Sequence, residues 1–254
     1  MCARYFIDMN LQDNLMNGIR VIAFDADDTL WDCQTYFDVV TEQMCDLLRP
    51  WADHDTSWQE LLRTESKNLP LTGFGCKAYI LSVIETAIRV SHEEIGAKAV
   101  GVLIQSCYGL LNLPAKPLPE VEETLRTLRS WIDGGRLPVR LAVFTKGDLL
   151  NQRHKLDRSG LATLFDWVEI TANKQADDFL TLCSHLAIRP EELLMVGNSF
   201  KSDMAPALEV GCAGLHIPFH AEWEMEQVEE FDHPRCRRLT HFGQVLDFVK
   251  PALR

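Results

Sequence analysis

The chain has 254 residues, and its 25 Lys and Arg stand against 37 Asp and Glu, a formal charge of -12. With 46% hydrophobic and 24% charged residues it reads as a soluble globular protein of one or two domains, and 14 Gly with 11 Pro exclude collagenous and generally disordered chains. The acidic balance argues against a general nucleic-acid binder, and no apolar run reaches the roughly 18 residues of a membrane span.

In chain order, residues 1–18 carry Asp8 and Asp13 where a secretory leader would have a basic start and an apolar stretch, so they read as no leader. The eight cysteines never form a C-x-x-C pair, which points to reduced, mostly buried thiols and a cytoplasmic protein. Short apolar runs at 21–24, 141–144, 167–170, 193–196 and 214–217 read as buried parallel strands. Helical stripes lie between them: Val121, Leu125, Leu128 and Ile132 form one, and Phe179, Leu182, Cys183 and Leu186 another. Gly134 and Gly135, Gly160 and Gly211 supply stop signals. The alternation predicts an α/β fold with a Rossmann-like, doubly wound parallel sheet whose ligands bind beyond the carboxyl ends of the strands.

One interval breaks this rhythm. From 32 to 118 there is no convincing strand, but Tyr36, Val40, Met44 and Leu47 form one stripe and Ile80, Val83, Ile84, Ala87 and Ile88 another. The three prolines at 114, 117 and 119 mark a return linker. The prediction is a core built from residues 1–31 and 119–254, interrupted by an inserted all-helical domain at 32–118 that lies over the strand ends. Its least helix-like stretch, 68–77, reads as a loop facing the site, with Phe74 to pack on a leaving group and Lys77 to meet an anionic one, or equally as a turn with a solvated lysine. The tail from Phe219 suits either packing on the core or pairing with a second subunit, and the sequence leaves the oligomeric state open.

The chemistry is concentrated at Asp25-Ala26-Asp27-Asp28-Thr29, directly after the first strand. Three carboxylates in four positions disfavour one another's ionisation unless a cation compensates, so the cluster reads as a metal-assisted site in preference to an Asp-rich helix cap. Further along, Thr145-Lys146-Gly147, Lys174 and the stretch from Gly197 through Asn198 to Asp203 each follow a strand in order. They offer a hydroxyl with backbone N–H groups, a cation, and an amide oxygen with a second carboxylate. His54, His185 and His216 have no metal-ligand spacing and read as surface or satisfied core residues.

With those residues in order, the sequence resembles the phosphatase branch of the haloacid dehalogenase superfamily over residues 19 to 217. Asp25 to Thr29 looks like its D-x-D-x-T motif, Thr145 like the second motif, Lys174 like the third and Gly197 to Asp203 like the fourth, and the insertion resembles a type C1 cap. The resemblance implies a Mg²⁺-dependent phosphomonoesterase acting on a small phosphorylated metabolite. Asp25 would be the nucleophile forming an aspartyl-phosphate, and Asp27 the general acid and then base. Thr145, the Lys146 amide and Lys174 would hold phosphate oxygens. Mg²⁺ would take the Asp25 carboxylate, the Asp27 carbonyl, Asn198 and Asp203. Asp28 would only start a helix. The family usually has Asp where this chain has Asn198, which removes one negative charge from the metal site. A phosphomutase, a haloacid dehalogenase-type hydrolase and a low-turnover phosphate-binding module are the alternatives, and Asp27 argues against dehalogenation. No nucleic-acid or membrane partner is expected.

Overall fold

The computed structural model describes residues 15–254, so most of the segment read as no leader lies outside the described residues. In chain order the elements are β1 (Val21–Phe24), α1 (Gln34–Leu48), α2 (His54–Thr72), α3 (Cys76–Val90), α4 (Ala97–Leu111), α5 (Val121–Asp133), β2 (Arg140–Lys146) and α6 (Leu149–Ser159). They continue with β3 (Trp167–Thr171), α7 (Ala176–Leu186), β4 (Leu193–Gly197), α8 (Ala205–Glu209), β5 (Ala213–His216), β6 (Cys236–Arg238) and α9 (Val245–Val249).

All strand pairs are parallel, in the order β3-β2-β1-β4-β5-β6. The chain winds outward from β1 in both directions, so the crevice between β1 and β4 is the switch point where such sheets bind ligands. Strand alternation explains why both faces are buried. Ile22, Phe24, Leu141, Val143, Leu194 and Val196 enter one apolar cluster, whereas Val21, Ala23, Ala142, Phe144, Leu193 and Met195 enter another.

The elements between β1 and β2 are helical among the described residues, and they carry their own apolar cluster of Val40, Met44, Leu48, Tyr79, Val83, Ala87, Leu103 and Leu110. Two predicted stripes turn slightly on their axes. On α1 Tyr36 is exposed and Leu48 is buried; on α3 Ile88 is exposed and Thr86 takes the inner face, donating to the Thr64 hydroxyl at 2.9 Å. A buried hydroxyl pair satisfies itself there, so a purely apolar reading of the face misplaces its centre.

The loop read at 68–77 is shorter than expected. Helix α2 continues past Pro70 to Thr72, because a proline in the last turn removes a single backbone bond, and only residues 73–75 form the turn. The tail joins the core: β6 extends the sheet beside β5, and Phe242, Val245, Phe248 and Val249 bury their side chains with Leu125 and Leu128. Phe242 lies 5.8 Å from Phe24, ring centre to ring centre.

Candidate active site

Backbone geometry gathers the site at the carboxyl ends of β1, β2 and β4. The Asp25 N–H donates to Val196 O at 2.9 Å, continuing the β1–β4 pairing one residue past the strand and turning the Asp25 side chain to the crevice. Asp28 then adopts a left-handed conformation (φ 63°), and its Oδ1 accepts from the N–H groups of Cys33 and Gln34 at 2.8 and 2.9 Å. It ties down the start of α1, in line with the helix-starting role read for it.

Lys174, 1% exposed, is the central cation. Its Nζ donates to Asp25 Oδ1 at 2.5 Å and Asp203 Oδ1 at 2.7 Å. Burial, partly offset by Lys174, and the neighbouring Asp203 charge push the Asp25 carboxyl up to about 7. Burial alone would lower the Lys174 ammonium, but Asp203 and Asp25 raise it above its ordinary value. Asp203 also accepts from the Ser199 N–H at 3.0 Å through Oδ2 and curls across Gly197, where a Cβ would stand 2.2 Å from that oxygen. Position 197 therefore requires glycine for close approach. Asn198 Oδ1 accepts from the Thr29 hydroxyl at 3.1 Å, joining the first and fourth predicted motifs. His216 is a buried residue whose Nε2 lies 2.9 Å from Asn198 O, a satisfied core position.

Asp27 has a different set of partners, which the sequence reading missed. Lys155 Nζ lies 2.6 Å from both of its carboxylate oxygens, Gln152 Nε2 donates to Oδ2 at 2.8 Å, and Trp31 Nε1 donates to Oδ1 at 2.8 Å. Burial would raise the Asp27 carboxyl, but the Lys155 ammonium and these bonds together hold it below the usual carboxylate range. The available signal was on α6, where Asn151, Gln152 and Lys155 share the inner face with Leu156 at helical spacing.

A cavity of about 190 Å³ opens from these residues into the helical insertion; Asp25, Asp27, Thr145, Lys146, Lys174, Asn198 and Asp203 all line it. Of the two residues predicted to meet the leaving group, Phe74 lines the cavity, with its ring centre 4.1 Å from Lys146 Nζ. Lys77 does not. It is exposed and pairs with Asp148 at 2.8 Å, where the 73–75 turn meets the loop after β2. The Lys146 side chain is also committed, donating to Ser202 Oγ at 2.7 Å and Glu226 Oε1 at 2.5 Å, so only its main chain remains for a phosphate.

Ala221, Glu222, Trp223 and Glu226, from the segment after β5, also line the cavity. Glu226 Oε2 accepts from the Ser199 and Ser202 hydroxyls at 2.6 and 2.5 Å, Trp223 meets the Phe74 ring edge-on at 6.2 Å, and Trp58 Nε1 donates to Glu224 at 3.0 Å. This segment binds the core and the insertion together.

The donors proposed for a metal are two carboxylates, an amide oxygen and a main-chain carbonyl. Among the described residues no three His, Cys, Asp or Glu side chains form a metal-binding cluster. An all-oxygen set of this kind fits a hard divalent ion that keeps several waters.

A family model described as haloacid dehalogenase-like hydrolase matches residues 19–211. The chain belongs to that family. It is 26% identical over 137 residues to N-acylneuraminate-9-phosphatase of Homo sapiens, a match covering 50% of this chain and 54% of that protein, about half its length. Identity to glyceraldehyde 3-phosphate phosphatase of Methanocaldococcus jannaschii is 22%, over 91% of this chain and 97% of the relative. A haloacid dehalogenase-like family hydrolase from Xanthomonas campestris superposes with a TM-score of 0.79 at 28% identity, covering 92% of this chain and 94% of that one. Among the described residues no helix is long and apolar enough to cross a membrane.

Proposed function

We propose that the chain is a Mg²⁺-dependent phosphomonoesterase acting on a small phosphorylated metabolite through an aspartyl-phosphate. The observation that carries this reading is the pair of carboxylates two residues apart at the end of β1, each on its own buried lysine: Asp25 on Lys174, and Asp27 on Lys155. Separate partners make the two carboxylates chemically distinct, but with Asp25 raised and Asp27 lowered the roles of nucleophile and acid require Mg²⁺ on Asp25 and release of Asp27 from Lys155. The phosphatase names of two relatives support the same reaction class.

In this mechanism Asp25 attacks phosphorus while the bond to the leaving oxygen breaks. Asp27 gives that oxygen a proton, then takes one from the water that hydrolyses the aspartyl-phosphate. Thr145, the Lys146 main chain and Lys174 hold the phosphate oxygens. Asp25, the Asp27 carbonyl, Asn198 and Asp203 would hold Mg²⁺, which when bound neutralises phosphate charge and favours the ionised Asp25. Because Lys155 keeps Asp27 charged, Asp27 must first move off that lysine and take up a proton from water before it can pass one to the leaving oxygen. The insertion at 32–118 serves as the cap that excludes water, over a core of residues 1–31 and 119–254.

The neutral Asn198 and the hold of Lys155 on Asp27 favour a second reading, a phosphate-binding module with little turnover. One experiment separates the two. Purified protein with Mg²⁺ is expected to release phosphate from p-nitrophenyl phosphate and from members of a metabolite panel, reversibly blocked by chelator. Asp25→Asn should reduce release to background while leaving the far-UV circular dichroism unchanged. Binding without release in the unaltered protein would establish the module, and substantial activity in Asp25→Asn would remove Asp25 as nucleophile.

A further inference from the structure

The cavity contains more cationic side chains than a single phosphate needs, yet none is free. No Arg or His among the described residues lines it, and its three lysines are each bonded to carboxylates: Lys174 to Asp25 and Asp203, Lys155 to Asp27, and Lys146 to Glu226. Away from the phosphate end the walls are aromatic and acidic, with Trp58, Trp223 and Tyr79 beside Asp38 and Glu65. A second anion carried into this space loses its water and meets carboxylates without a compensating cation, which is strongly unfavourable.

The wall carboxylates ask for a particular partner. Asp38 and Glu65 line the cavity, and among the described residues neither is paired with a cation; Asp38 Oδ1 accepts only from the Gln34 side chain, at 2.8 Å. Carboxylate oxygens accept, so a hydroxyl or ammonium entering the cavity satisfies them and a further carboxylate does not.

We propose, resting on the phosphomonoesterase reading, that the substrate's leaving group carries a hydroxyl or ammonium donor and no second anion, and that Glu226 enforces the choice by occupying Lys146. Glu226 is a specificity-determining residue supplied by the segment after β5, outside the helical insertion. A site built to receive a donor discriminates against analogues that lack one.

Matched pairs test this. Glycerol 3-phosphate and 3-phosphoglycerate differ in a hydroxymethyl against a carboxylate; phosphoethanolamine and phosphoglycolate differ in an ammonium against a carboxylate. In the unaltered protein kcat/KM is expected to favour the member without the carboxylate in each pair by tenfold or more. Glu226→Gln releases Lys146 and should narrow both ratios several-fold, whereas a merely structural loss lowers both members alike and leaves the ratios unchanged. Calorimetric titration of the same pairs into Asp25→Asn protein reads the preference without turnover. Equal or reversed preference in both assays overturns the leaving-group inference, and unchanged ratios in Glu226→Gln overturn the role of Glu226. Failure to hydrolyse p-nitrophenyl phosphate, with the pairs still discriminated in binding, counts instead against the phosphatase reading.

Discussion

Lys155 is 2% exposed and contacts both oxygens of Asp27, so removing its charge leaves a buried carboxylate short of its main partner. Breaking a buried pair from one side typically costs about 3–5 kcal/mol, a large share of a domain's stability. Lys155→Met, which keeps most of the side-chain volume, is expected to lose that much in urea denaturation; a loss under about 1 kcal/mol would mean that Asp27 finds other compensation. Glu65 poses a different electrostatic problem. Burial, partly offset by Trp223, pushes its carboxyl up to about 7 from 4.5, so the folded state holds its proton more tightly than the unfolded chain. Between those values the folded state binds more protons, and its stability falls as pH rises, by roughly 2–3 kcal/mol for this group alone. Glu65→Gln should remove that component: denaturation at pH 5 and pH 8 is expected to show the unaltered protein losing ground to the variant by this amount, and parallel behaviour would contradict it. Asp25, Asp27, Thr145, Lys174 and Asp203 were legible because strand ends and motif spacing are written in the sequence. Lys155 and Glu226 were not, since a lysine in a helix and a glutamate in an irregular acidic tail are usually solvated, and only the tertiary fold shows which are buried.

At the scale of elements, the turn between α2 and α3 carries the most specific requirement. Gly73 and Gly75 both have positive φ, 68° and 116°, but a Cβ on Gly73 meets nothing within 4 Å whereas one on Gly75 would stand 3.0 Å from the Asp148 backbone nitrogen. Gly75→Ala therefore adds a steric conflict with the loop after β2 to the backbone strain that Gly73→Ala bears alone. The strain costs on the order of 1–3 kcal/mol. Gly75→Ala is expected to be the more destabilising of the two in urea, and also to weaken substrate binding, because it separates Phe74 and Lys77 from the loop they dock on. Equal effects would place the turn free of Asp148. The glycine pair signalled a turn in the sequence, but its partner lies more than seventy residues away in the chain, beyond what local pattern encodes. Strands β1, β2, β4 and β5 were legible because buried parallel strands read as continuous apolar runs, whereas β3, also read as buried, is an edge strand exposed at Trp167 and half-buried beyond it. The three-residue strand β6, Cys-Arg-Arg, has no such run; it joins the sheet through its backbone, and of its side chains Cys236 packs on the apolar cluster.

For the molecule as a whole, the tail decides whether the sheet is covered. Leu239, Phe242, Val245, Phe248 and Val249 are all buried in the cluster that includes Phe24, Leu125 and Leu215, and β6 pairs with the edge of β5. Burying five such side chains is worth about 1.5–3 kcal/mol each, an upper range because the unfolded chain already hides part of that surface. Even the lower end, about 7 kcal/mol, falls within the 5–15 kcal/mol that separates a folded domain from its unfolded state. Deleting residues 232–254 also exposes the β5 edge, which invites association with other chains. The truncated protein is expected to lose its cooperative urea transition and its near-UV circular dichroism, even though every residue assigned to the phosphate, the metal and the cavity wall is retained. A cooperative transition with retained near-UV signal would show instead that the cluster around Phe24 holds without the tail. Phosphate release is expected to be lost with the transition, although the tail touches none of the proposed reacting groups, because Phe24, next to Asp25 at the end of β1, packs on Phe242.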